Sequence, residues 1–171
     1  MPKWNVKFRL LKELKVSFDL KAGQNNKGTL HIEFLDENGI ACSRMELTDD
    51  GIFRLKGGSR FANMMKYEAG KVYHVEAVLS TVDRNIQVYV DGKRVGLRMF
   101  YAPVAAVERI VFRTGVPRTF PTVDTPADQT YDLPNAGAQD PLAEYGIANV
   151  KTSSTDKDAS SAFLKYADFS S

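Results

Sequence analysis

The chain has 171 residues, with 43% hydrophobic and 26% charged residues, which is enough apolar material for one packed domain and excludes global disorder. Lys+Arg 23 against Asp+Glu 21 leaves a net charge of +2, too balanced for a nucleic-acid binder, which shows a basic face or a high domain pI. The single cysteine, Cys42, excludes an internal disulfide and a cysteine metal cluster.

In chain order, the N-terminus Met1-Pro2-Lys3-Trp4-Asn5 carries no apolar run or cleavage site of a secretory signal. Either the chain works inside the cell, or its targeting segment was removed. No stretch reaches the ~18–20 apolar residues of a membrane-spanning helix. The dominant hydrophobic period is two. Val16, Phe18 and Leu20 alternate with Lys15, Ser17 and Asp19; Leu30, Ile32 and Phe34 alternate with His31 and Glu33. These runs predict half-buried strands, as do 40–47, 51–56 and 72–80. The segment 61–66 reads as one short helical turn. Further strands are expected over 86–90, 94–99, 107–114 and 145–152. Turn signals separate them: Asp36-Glu37-Asn38-Gly39, Asp49-Asp50-Gly51, Gly57-Gly58-Ser59 and Asp91-Gly92-Lys93. No helical stripe of about ten residues and no internal repeat is present. The pattern predicts an all-β antiparallel sandwich or barrel rather than a βαβ fold, with Phe18, Ile32, Phe34, Val75, Val88, Ile110 and Phe112 facing the core.

One segment interrupts the pattern. Residues 115–143 carry Pro117, Pro121, Pro126, Pro134 and Pro141, and no Lys or Arg lies between Arg118 and Lys151. Because strand-like sequence resumes at Tyr145, this stretch reads as a long surface loop within a sandwich spanning 1–152. A Ser- and Asp-rich tail, 153–171, follows. Trp4 reads as packing or tail.

Several residue groups carry chemical meaning. On the strand parity, His31, Glu33, His74, Glu76, Gln87, Tyr89, Arg109 and Arg113 all point away from the core. If their strands are neighbours, they form one polar, aromatic-containing patch of the type that holds sugars; the bland alternative is a solvated sheet face. The loops offer a second candidate for ligand contact, Arg98, Phe100 and Tyr101 after a hairpin and Phe120 and Tyr131 in the acidic loop, unless these aromatics only staple the loops to the body. Arg109 and Arg113, four residues apart, would reach carboxylates on separate sugars about 13 Å apart, or else pair with Glu33 or Glu76. Two His-x-Glu pairs, His31/Glu33 and His74/Glu76, would make a zinc site only if juxtaposed. Asp124, Asp128 and Asp132 recur every four residues in the loop and are the candidate calcium ligands, without the dense acidic pattern of a dedicated site; no other cofactor is expected. For glycoside hydrolysis, the run Glu33-Phe34-Leu35-Asp36-Glu37 lacks three acids alternating on one strand face and runs into a turn, and no catalytic residue is assigned.

The runs Gly70-Lys71-Val72-Tyr73-His74-Val75-Glu76-Ala77-Val78 and Ile86-Gln87-Val88-Tyr89-Val90-Asp91-Gly92-Lys93 resemble the concanavalin A-like (laminin G-like) jelly-roll superfamily, with Val72 where Trp is commonest. Ile110-Val111-Phe112-Arg113-Thr114-Gly115 resembles a later strand of that fold, and Tyr145-Gly146-Ile147-Ala148-Asn149-Val150 its closing strand; Val16–Leu20 fits the opening one. The resemblance implies a jelly roll. It also implies a non-catalytic carbohydrate-binding or accessory module of a bacterial, extracytoplasmic polysaccharide-degrading system, with a polysaccharide or oligosaccharide, acidic or neutral, as partner. Two alternatives stay open: a structural module packed on a neighbouring hydrolase or lyase domain, and a polysaccharide lyase using His74 or Tyr89 beside arginines.

Overall fold

The computed structural model describes residues 3–7, 13–58, 60–114 and 142–153. Among the described residues there is no helix. The strands are β1 (Lys3–Lys7), β2 (Glu13–Ala22), β3 (Leu30–Leu35), β4 (Ala41–Leu47), β5 (Ile52–Gly57), β6 (Arg60–Lys66), β7 (Val72–Ser80), β8 (Asn85–Val90), β9 (Lys93–Met99), β10 (Arg109–Thr114) and β11 (Tyr145–Ser153). They form two antiparallel sheets, ordered β1-β10-β3-β4-β5-β6 and β11-β2-β7-β8-β9. The alternation left a sandwich or a barrel open; the structure is the two-sheet jelly-roll sandwich that the family resemblance implied.

The core lies between the sheets. Val16, Phe18 and Leu20 of β2 and Val75 of β7 face Ile32 and Phe34 of β3 and Ile110 and Phe112 of β10. All seven residues expected in the core from the sequence are buried, and the Phe18 and Phe112 rings meet edge to face, 5.2 Å apart at 87°, bridging the two layers. Cys42 is buried and free, and burial pushes its thiol well above the ordinary value of 9.0, so it is held as an unreactive thiol.

The hairpins follow from turn chemistry. Asp91 and Gly92 both adopt positive φ, 52° and 84°, which a tight two-residue β-turn requires and which Gly tolerates without cost. Gly39 and Gly51 do the same in the β3–β4 and β4–β5 turns, at 80° and 85°.

Two expectations are corrected. Residues 61–66 belong to strand β6, not a helical turn; they pair with β5 from Ile52↔Lys66 to Gly57↔Arg60. Lys3–Lys7 is a strand rather than a tail, with Trp4 opposite Phe112 in the ladder. The Asp124, Asp128 and Asp132 run, most of the 115–143 loop and nearly all of the tail, including Phe120 and Tyr131, lie outside the described residues.

Candidate functional site: the outer face of the six-stranded sheet

The patch expected from parity does not form as one surface. His31, Glu33, Arg109 and Arg113 sit on β3 and β10 of the six-stranded sheet, whereas His74, Glu76, Gln87 and Tyr89 sit on β7 and β8 of the other. The outward parity was right, but the two groups face opposite sides of the sandwich. The two His-x-Glu pairs are separated in the same way, so they do not converge on a zinc ion. Among the described residues no group of three or more His, Cys, Asp or Glu is placed to hold a metal.

On the five-stranded sheet the outward groups bond to one another. His74 Nδ1 lies 2.9 Å from Asp19 Oδ1, and Asn149 Nδ2 donates to Asp19 Oδ2 at 2.7 Å. Asn149 occupies a bulge of β11 with φ of 54°. The Asn149 hydrogen bond, and then that of His74, hold the Asp19 carboxyl below its ordinary range. Tyr89 donates its hydroxyl to Gln87 Oε1 at 3.1 Å, and Lys15 pairs with Glu76 at 3.1 Å. His74 and Tyr89 therefore meet Asp19 and Gln87, while Arg109 and Arg113 lie on the other sheet. Arg98 shares the inward face of β9 with Ile86's side of the ladder, and its stem lies over Gly57 of β5 at the sandwich edge.

The outer face of the six-stranded sheet is denser. Two neighbouring rungs cross β10, β3, β4, β5 and β6. One reads Arg113, His31, Glu46, Arg54, Asn63; the other reads Val111, Glu33, Arg44, Lys56, Phe61. Glu33 accepts a hydrogen bond from Arg44 Nη2 at 3.0 Å and lies 3.0 Å from Arg113 Nε. Glu46 accepts from Arg54 through both Nε and Nη2, at 3.0 and 2.7 Å, on Oε1, while Oε2 lies 3.1 Å from His31 Nδ1. His31, Glu33, Arg44, Glu46, Lys56 and Arg113 are all buried, although they point away from the core. Beside the charges, Leu35, Ala41 and Val111 form a small apolar cluster on which Tyr101 packs.

Aromatic rings frame the cations. The Arg54 guanidinium stacks 4.1 Å from the centroid of Phe61, and Lys56 Nζ lies 5.3 Å from both the Phe61 and Tyr101 rings. Burial falls toward β6: the Arg54 side chain is 35% exposed, Phe61 is half-buried and Asn63 exposed. The face thus offers an accessible corner of guanidinium, aromatic ring and amide, backed by a buried lattice that fixes their positions.

Of the ligand-contact candidates, the structure brings Arg109, Arg113 and Tyr101 to this face, and Arg113 and Tyr101 join its lattice. His74, Gln87 and Tyr89 fall on the opposite face, and Arg98 at the edge. Arg44, Glu46, Arg54, Lys56, Phe61 and Asn63 were not singled out from the sequence. The available signal was Arg44-x-Glu46 and Arg54-x-Lys56, charged pairs two apart within otherwise apolar strand runs.

The Glu46 carboxyl makes the lattice pH-sensitive. Burial pushes its pKa up, but the hydrogen bonds and charges of His31 and Arg54 outweigh burial and hold it below its ordinary value of 4.5. A depressed folded-state pKa contributes stability that is present above the unfolded pKa and lost as pH falls through the folded one. Melting temperature is therefore expected to fall on acidification below about pH 4.5, and Glu46→Gln should lower it at pH 7 while flattening that acid limb. Melting curves of both forms from pH 7 to pH 3 check this; parallel acid limbs would contradict it.

Comparison with known proteins bears on what such a face holds. A family model described as "Sialidase-like, CBM domain" matches residues 3–129. A solved sialidase is 84% identical at a TM-score of 0.79, aligned over 96% of this chain. The chain spans 15% of that sialidase's length. Sheep galectin-11 is 14% identical, with a TM-score of 0.53 over 86% of this chain and 95% of its own. A Trypanosoma rangeli sialidase mutant displaying trans-sialidase activity is 18% identical, with a TM-score of 0.53 over 82% of this chain and 20% of its own. At such identities the last two show a shared lectin-like jelly-roll fold. No curated protein sequence matches the chain significantly.

Proposed function

The chain belongs to the sialidase-like carbohydrate-binding module family, and on that premise we propose that it is a non-catalytic accessory module that grips a glycan at the β4–β6 end of the six-stranded sheet. The observation that carries this reading is the graded outer face: a buried lattice of Arg44, Glu33, Arg113, His31 and Glu46 leading to the accessible Arg54, Phe61 and Asn63. A sugar presents an apolar C–H face and a rim of hydroxyls. Phe61 offers a ring for the first, and the planar guanidinium and amide offer donors and acceptors for the second. Because Glu46 and Phe61 already fix Arg54, little side-chain entropy is lost when a ligand arrives.

The whole-protein context of this reading is a sialidase in which the module sits beside a catalytic domain, supported by the 84% identical sialidase. There, tethering would hold the glycan close to that domain and raise its local concentration without taking part in bond cleavage. Placement outside the cytoplasm and kinship with concanavalin A-like modules belong to the same proposal.

A glycan array probed with the chain tests it. Retention on at least one oligosaccharide, lost in Phe61→Ala with an unchanged far-UV spectrum, is the expected result. Absence of retention on every neutral and acidic glycan would overturn it in favour of a structural module packed on a neighbouring domain.

A further inference from the structure

We propose that Asn38-Gly39, in the β3–β4 turn, is a site of spontaneous covalent modification: the Asn38 side chain closes on the backbone nitrogen of Gly39, loses ammonia, and reopens with water to aspartate or isoaspartate. The proposal does not depend on what the outer face binds.

The reaction needs an asparagine amide that can turn, a following backbone nitrogen it can reach, and water. Asn38 is exposed, and among the described residues its side-chain amide makes no hydrogen bond. The turn holds it only through its backbone, where Asn38 N donates to Asp36 Oδ1 at 2.8 Å. Gly39 has no Cβ to shield its nitrogen, and its φ of 80° is one that favours glycine. Gly39 N donates to Asp36 O at 3.2 Å, longer than the other hydrogen bonds of this turn, from Asn38 N, Ile40 N and Asp36 N, at 2.8, 2.9 and 2.9 Å. Loss of that proton to a solvent base leaves the nitrogen as the nucleophile. It attacks Asn38 Cγ; the N–Cγ bond forms, the Cγ–Nδ2 bond breaks, and Nδ2 takes up a proton and leaves as ammonia. Water then opens the cyclic imide. Cleavage of the new N–Cγ bond gives aspartate, and cleavage of the main-chain bond between the Asn38 carbonyl carbon and Gly39 N gives isoaspartate. No oxidant or cofactor enters.

Other positions among the described residues lack one requirement. Asp91 and Asp50 also precede glycine, but Asp91 Oδ1 accepts from His74 N at 2.9 Å and Asp50 Oδ1 accepts from the Thr48 hydroxyl. Asn149 donates to Asp19 and precedes Val150. Asn25, Asn26, Asn63 and Asn85 precede Asn26, Lys27, Met64 and Ile86, whose side chains crowd the attacking nitrogen.

The turn feeds the outer-face lattice. The β3–β4 ladder ends at Leu35↔Ala41, and these two residues pack with Val111 and Tyr101. Tyr101 N donates to Cys42 O at 3.0 Å, and Glu108 N donates to Leu35 O at 2.8 Å. Isoaspartate lengthens the main chain of the turn by one carbon and adds a carboxylate beside Asp36 and Glu37, so the last rung and the loop it carries must shift.

Peptide mapping by mass spectrometry, after incubation of the intact chain in mildly alkaline buffer, tests the proposal. Trypsin, cutting after Lys27 and Arg44, releases residues 28–44, in which Asn38 carries the only side-chain amide. Gly39 is itself buried, which slows loss of its proton, so the folded chain is measured beside the chain unfolded in urea. The expected result is the amide-to-acid mass gain in 28–44 of the folded chain, faster than in its other peptides, with labelling by an isoaspartate-specific methyltransferase. Asn38→Gln, which would need a larger ring, should leave 28–44 unchanged. The converted chain should melt below fresh Asn38→Asp, which carries the charge without the longer main chain. Conversion of 28–44 only in urea, or in the folded chain no faster than at Asn25 and Asn26, would overturn the assignment.

Discussion

Gly28→Ala is expected to destabilise the sandwich by roughly 3 kcal/mol or more, because two independent penalties meet at one position. Gly28 adopts φ of 76° in the β2–β3 connection, where an L side chain costs on the order of 1–2 kcal/mol. A Cβ there would also lie 2.4 Å from Ala143 Cβ and 2.9 Å from the Tyr145 hydroxyl oxygen. Ala143 Cβ cannot swing aside, so the backbone entering β11 would have to withdraw. That withdrawal strains the contacts tying this entry to the β2 end: Gly23 N donates to Glu144 O at 2.9 Å, and Glu144 N donates to Gln24 Oε1 at 2.9 Å. At roughly 2–4 °C per kcal/mol for a domain of this size, the melting temperature should fall by about 6 °C or more. A change within about 2 °C would mean that the close approach of β11 to this connection is wrong.

Phe112→Ala should cost about 3–5 kcal/mol, the usual range for truncating a core aromatic. Phe112 is 3% exposed and meets Phe18, which is fully buried, edge to face across the sandwich. Removing the ring opens a void between β10 and β2, which belong to different sheets, so neither strand can close it by a local shift. Urea unfolding should show a lower midpoint at an unchanged slope. A loss under about 1 kcal/mol would place Phe112 outside the packed core.

The two-layer core was legible because burial enforces strict alternation: a slip of one residue would have turned Phe18 or Ile32 to the outside. Asp91-Gly92 was legible because few residues accept consecutive positive φ. Strand β6 was not. Phe61-Ala62-Asn63-Met64-Met65-Lys66 has no β-branched residue, and Ala, Met and Lys lean toward helix; pairing with β5 decides its state. The partition into sheets was hidden for a topological reason. β10 inserts between β1 and β3, and β11 pairs with β2, both through long connections whose ends carry no local signal. Without that partition, His74 and Arg109 read as neighbours when they lie on opposite sides. The lattice was hidden because charged residues on outward parity normally meet water. That Glu33 and Glu46 are buried among arginines depends on which strands adjoin β3 and β4, and period-two reading is silent on it.

The central claim is that the β4–β6 end of the six-stranded sheet holds the glycan. The most direct test is two-dimensional ¹H–¹⁵N NMR of the labelled chain titrated with sialyllactose. The account predicts saturable shifts concentrated at Glu46, Arg54, Phe61 and Asn63 and their ladder neighbours. Shifts confined to His74, Gln87 and Tyr89 on the opposite sheet, or no shifts at all, would contradict it.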